Sequence, residues 1–128
     1  MKGKINWAKD VAEDNYVAAQ RYLSLVVGNH SAASLTRALR RAKLDHQVAR
    51  DLMRAADYRP TAPNDKKQRN EIRNGHKLTP FLVVRDIAQR RLIIADGYHR
   101  IGAICEFDDE TQVPCRIVDL VGANAVKD

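Results

Sequence analysis

The stretch that most constrains this chain runs from Arg91 to Glu106. Leu92, Ile93, Ile94 and Ala95 form a short continuous apolar run, the pattern of a strand covered on both faces. Asp96-Gly97 ends it, because Asp is poor inside a strand and Gly accepts the backbone angles of a sharp turn. From Tyr98 the spacing changes: Ile101, Ile104 and Cys105 recur at helical intervals. A strand that turns abruptly into a helix aims the free N–H groups of the first helical turn at one point, and that point favours an anion. His99 and Arg100 fall in this turn, where the helix dipole alone would not select cations. A phosphate or carboxylate partner accounts for them.

The chain has 128 residues, enough for one domain with a core that needs no staples. No apolar run approaches the roughly 20 residues of a membrane span. The basic start, Met1 to Trp7, has no apolar stretch behind it, so no signal peptide is expected. Cys105 and Cys115 both fall in expected buried elements and read as core thiols of a reducing, cytoplasmic setting. The net charge of +6 is uneven: residues 37–91 carry 15 Lys/Arg against six Asp/Glu, while residues 92–128 carry three against seven. The basic middle suits a polyanionic partner, nucleic acid or nucleotide phosphate; two solvated basic helix faces would give the same count.

In chain order, a helix is expected over Asn15–Val27, capped by Asp14 or Asn15 and stopped at Gly28-Asn29. Its buried stripe reads as Ala18, Tyr22, Leu25 and Val26, with Trp7 and Val11 in an earlier turn and Trp7 over a core edge. Ser31 is placed to cap a second helix through Lys43, with Leu35, Ala38, Leu39 and Ala42 facing the core. About three linking residues make the two an antiparallel hairpin. Asp45–Ala56 fits either a short strand and a helical turn or one helix. Arg59 to Asn64, with two prolines, is an exposed loop that could contact a ligand. A polar helix over Lys66–Asn74 follows, starting at Asn64 or Asp65, anchored by Ile72 and stopped by Gly75. Phe81–Val84 and Arg91–Ala95 pair as antiparallel strands around a turn at Asp86–Arg90, and Val113–Val118 closes as the last strand. The tail from Gly122 is expected to fray.

The second half, from about Asp45 to Asp119, resembles the ParB/sulfiredoxin-like superfamily. The likeness rests on the order of four motifs: the Pro80–Val84 strand, the Leu92–Gly97 strand, the Tyr98–Ala103 helix and the Val113–Val118 strand. It implies an α/β (α+β) fold, a small mixed sheet with flanking helices, preceded here by a helical hairpin that the family core lacks. The domains are then residues 1–44 for the hairpin, 45–120 for the ParB/sulfiredoxin-like part and 121–128 for the tail. The resemblance also favours a strand at Gln47–Ala49.

The helix-start motif varies with function in that superfamily. Sulfiredoxins carry Gly-Gly-Cys-His-Arg; here Tyr98 stands where the reactive cysteine would be, so sulfiredoxin activity is not expected. ParB partition proteins carry Gly-Glu-Arg-Arg; Gly97, Arg100 and Ala103 match that pattern, but Tyr98 and His99 replace the Glu-Arg pair. The Asp-Gly-His-His-Arg motif of ParB-like free-serine kinases differs from Asp96-Gly97-Tyr98-His99-Arg100 at one position. This similarity implies that Gly97, Tyr98 and His99 cradle a phosphate of a nucleotide or other phosphorylated ligand, that His99 and Arg100 neutralise it, and that Asp96 and His99 are catalytic. Thr79, Pro80, Arg59 and Lys66 (or Lys67) would join the binding site. Phosphoryl transfer or nucleotide hydrolysis with Mg2+ would follow, the metal held by phosphate and Asp96, with Glu71, Asp65 or Asp51 as a second carboxylate. The residues alone also allow Asp96 to cap the helix and Arg100 to pair with Asp96 or with the acidic loop at Asp108. Two other readings are a DNA-associated ParB-like module using the basic segment and a toxin–antitoxin-type, nucleotide-dependent modifier. His46 and His76 read as surface histidines, and neither a zinc site, a P-loop nor a dinucleotide fingerprint is present.

Overall fold

A computed structural model describes residues 4–58, 66–122 and 126–127. The fold is mixed α+β, with helices on both faces of one sheet. The strands are β1 (Leu44–Val48), β2 (Phe81–Asp86), β3 (Arg91–Asp96), β4 (Gln112–Leu120) and β5 (Val126–Lys127). The helices are α1 (Glu13–Val27), α2 (Asn29–Arg41), α3 (Ala49–Ala55), α4 (Lys66–Arg73) and α5 (Tyr98–Asp108). Sheet order is β1-β4-β2-β3, with β2 parallel to β4, the other pairs antiparallel, and β5 added to β4.

Side-chain alternation in β2 explains the layering. Leu82 and Val84 point into a core shared with α1 and α2, and Phe81 and Val83 into a second core shared with α3, α4 and α5. β3 divides likewise, Ile93 and Ala95 to one core and Ile94 to the other, which is why its apolar run is continuous. The N-terminal hairpin therefore covers one face of the sheet: Tyr16, Ala19, Leu23, Leu35, Ala38 and Leu39 all lie in the first core.

Several expectations change at this level. α1 starts at Glu13 with Ala12 as its N-cap; neither Asp14 nor Asn15 is the cap, although the Asn15 Oδ1 accepts from the Ala12 N–H at 2.9 Å. Its core stripe is Tyr16, Ala19 and Leu23, while Ala18 is exposed, Tyr22 is 48% exposed and Leu25 84%; of the expected stripe only Val26 packs against this core, half-buried. Both stripes have helical spacing, and the sheet's choice of one could not be read from period alone. Gly28, at φ +88°, is the whole link between α1 and α2, so Ser31 is buried inside α2 rather than capping it. The expected face of α2 is borne out: Leu35, Ala38 and Leu39 are buried and Ala42 is half-buried. Trp7 lies outside α1, in an extended bridge to Leu78 with its ring 6.4 Å from that of Phe81, at the edge of the second core. Asp45–Ala56 resolves as strand then helix, the helix beginning at Ala49. Within the tail expected to fray, Val126–Lys127 pairs with β4, and residues 123–125 and 128 lie outside the described residues. The proline loop at 59–64 and the start of the polar helix at Asn64 or Asp65 lie outside the described residues.

Candidate functional site

The junction between β3 and α5 is built as a rigid corner. A register shift between β2 and β3 at Leu82/Val83 puts Asp96 opposite Leu82 and Ile94 opposite Val83, so the last turn of β3 is re-aimed just before Gly97. Gly97 then takes φ +117°, a region that L side chains avoid, and its missing side chain leaves room for the Phe81 ring. A Cβ there would sit 2.6 Å from Phe81 Cγ.

Below the corner, Arg100 is a hub. Its Nη2 donates to Asp96 Oδ2 at 3.1 Å, and its Nη1 donates to the backbone carbonyl of Thr79 and, at 3.1 Å, to the Thr79 hydroxyl. The guanidinium carbon lies 4.8 Å from the Phe81 ring centroid. Both members of the Arg100–Asp96 pair are largely buried, with side chains 14% and 17% exposed. Burial holds the Asp96 carboxyl above its ordinary range, against the pull of Arg100 and a hydrogen bond from Asn15. Burial likewise lowers Arg100, against the fields of Asp96 and Glu71.

Above the corner, the first turn of α5 is open. No side chain caps it; the N–H groups of Arg100 and Ile101 reach back to the Gly97 carbonyl, which leaves the Tyr98 and His99 amides to the outside. Tyr98 and His99 are themselves exposed. The Tyr98 ring packs against Tyr58, the last described residue before the proline loop, with centroids 4.9 Å apart, and lies 6.0 Å from the His99 ring.

The fold thus brings together Asp96, Gly97, Tyr98, His99, Arg100 and Thr79, with Pro80 buried next to them. Lys66 stands exposed at the start of α4, and Arg59 lies outside the described residues. Of the proposed second carboxylates, Glu71 is close enough to act on Arg100; Asp51 lines a cleft with Arg85 and Ile117; Asp65 lies outside the described residues. No group of three or more His, Cys, Asp or Glu among the described residues is arranged to hold a metal, and Asp96 is already engaged by Arg100 and Asn15. Among the described residues, the donors around Asp96 therefore do not form a set that fits a divalent ion. Sequence reasoning missed Phe81, Tyr58 and Asn15 as parts of this site. A glycine after a strand hints at a close neighbour but does not name it, and Asn15 comes from a helix some eighty residues away in sequence.

The two thiols are free, and burial pushes Cys105 up to about 11 and Cys115 up to about 12, which makes both poor nucleophiles near neutrality. His46 and His76 are exposed. No helix among the described residues is long and apolar enough to cross a membrane. Comparison with family models, with curated proteins and with solved structures returns no match to this chain.

Proposed function

We propose that the first turn of α5 binds the phosphate of a nucleotide or of another phosphorylated small molecule. The observation that carries this reading is the uncapped pair of amides at Tyr98 and His99, presented on a corner held from beneath by Arg100, Asp96, Thr79 and Phe81. A helix N-terminus with free N–H groups attracts an anion, and a pre-set backbone does not have to be ordered on binding. His99 lies within the same turn and adds a donor. The exposed Tyr98 ring, tilted 57° against half-buried Tyr58 at 4.9 Å between centroids, stands beside the turn as one aromatic group on which a base could stack, which favours a nucleotide over a bare phosphorylated acid.

In this reading Arg100 supports the corner rather than touching the ligand, because its guanidinium is already committed to three acceptors. Asp96, whose carboxyl burial pushes up, would be the group to take a proton in phosphoryl transfer or hydrolysis. Binding is the primary proposal and turnover the secondary one. A thermal-shift series with nucleoside mono-, di- and triphosphates, with and without magnesium, tests the binding, and release of phosphate from the triphosphates tests turnover. A rise in Tm that grows with ligand concentration, and that is reduced but not abolished in Tyr98→Ala and His99→Ala because both keep the backbone amides, is the expected result. No rise with any nucleotide at millimolar concentration contradicts the reading.

The basic charge of residues 37–91 supports a second reading, a nucleic-acid partner. Duplex affinity that falls steeply with salt would favour it; no binding at low salt would remove it.

A further inference from the structure

α4 and α5 enclose a cleft of about 310 Å³ that the corner at Gly97 does not use. Its walls are Ile72, Ala103 and Phe107, and its rim is Arg69, Arg73 and Glu106. Ile72 and Ala103 belong to the second core, so the floor is fixed rather than a gap between loose side chains. The volume lies at the small end of the range for ligand pockets, about 300–1,000 Å³. Ala103 is more than one helical turn beyond Tyr98, which separates the cleft from the phosphate turn.

The rim has an uneven charge. α4 carries four basic residues and one acidic one in eight, and Arg69 and Arg73 sit one turn apart on the side facing α5. Arg69 is 3.6 Å from Glu106, a loose and partly exposed pair that contributes little stability and is readily exchanged. Arg73 makes no ion pair with another described residue. Thus one guanidinium is balanced and one is left for an incoming anion. Glu106 would repel any further negative charge laid across the same rim, which disfavours a polyanion and favours a single charged head. We infer that this cleft is a binding site for a small amphipathic anion: an apolar body seated on Ile72, Ala103 and Phe107, and a carboxylate or phosphate head at Arg73.

Titrating the full-length 15N-labelled chain with octanoate, with hexyl phosphate and with uncharged 1-octanol tests this. The amides of Ile72, Ala103, Glu106 and Phe107 should shift saturably with at least one anion. Arg73→Gln, at an exposed position that leaves the fold intact, should weaken that anion about fivefold or more and leave 1-octanol unchanged. Response to one anion and not the other supports the site and identifies its head group. The proposal is overturned by the absence of saturable shifts at these amides up to about 10 mM. It is equally overturned if Arg73→Gln leaves anion affinity unchanged, or if the shifts gather at Gly97–His99 instead.

Discussion

A Cβ placed on Gly97 would lie 2.6 Å from Cγ of Phe81 and under 3 Å from two further atoms of that ring. The ring is fully buried, with the Trp7 ring edge-on at 6.4 Å and the Arg100 guanidinium 4.8 Å from its centroid, so it has little room to give way. Gly97→Ala should therefore combine a steric clash with a disfavoured backbone region, at a cost of about 2–4 kcal/mol in urea unfolding. Phe81→Leu in the same chain should recover part of the loss, a coupling that two independent sites would not show. Fully additive costs would mean that the contact does not set the corner.

Arg100 and Asp96 need each other more than the fold needs both. Removing Asp96 as Asp96→Asn leaves a buried guanidinium with less compensation and should destabilise by about 2–4 kcal/mol. Arg100→Met alone should cost a similar amount by stranding Asp96, whose carboxyl burial already penalises. The double variant should lose clearly less than the sum. Additive losses in a double-mutant cycle would show that the pair is not coupled.

Acid should destabilise this protein, and the sign follows from two carboxylates. The N–H of Val11 and the Arg116 side chain hold Asp10 below its ordinary value, and a hydrogen bond from Arg40 holds Glu13 below its own. Each contributes stability above its unfolded value, 3.8 and 4.5 respectively, and loses it as pH falls through the lowered folded value. Asp96 works in the opposite sense, since a raised carboxyl relieves a penalty when protonated. Tm measured from pH 6 downward should fall below about pH 4.5, and Glu13→Gln should flatten that fall. A slope unchanged by Glu13→Gln would remove this residue from the account.

α1 offers a direct test of its rotation about the helix axis. Leu23 is fully buried and Leu25 is 84% exposed, two positions apart on one helix. Leu23→Ala should cost about 2–5 kcal/mol, whereas Leu25→Ala should stay within about 0.5 kcal/mol. The reverse order would put the Ala18, Tyr22, Leu25 stripe in the core.

That stripe also shows where the sequence was legible and where it was not. The run Leu92–Ala95, the turn at Asp96-Gly97 and the helix from Tyr98 could be placed because apolar periodicity and turn chemistry agreed at each residue. In α1 two apolar stripes compete, and only the sheet decides between them. Gly28 showed a stop but not that the next helix begins at once. At the site, the motif residues and Thr79 were visible as chemistry. Their support by Phe81, and the burial that turns Arg100 inward, depend on contacts between distant segments that no local pattern encodes.

The most direct test of the phosphate turn is a 1H–15N correlation titration of the intact chain with ATP, ADP and inorganic phosphate. The account predicts saturable shifts of the Tyr98 and His99 amides, larger with the nucleotides than with phosphate because the exposed Tyr98 ring adds stacking. If those two amides stay unmoved at about 10 mM of every ligand, the first turn of α5 is not a phosphate site.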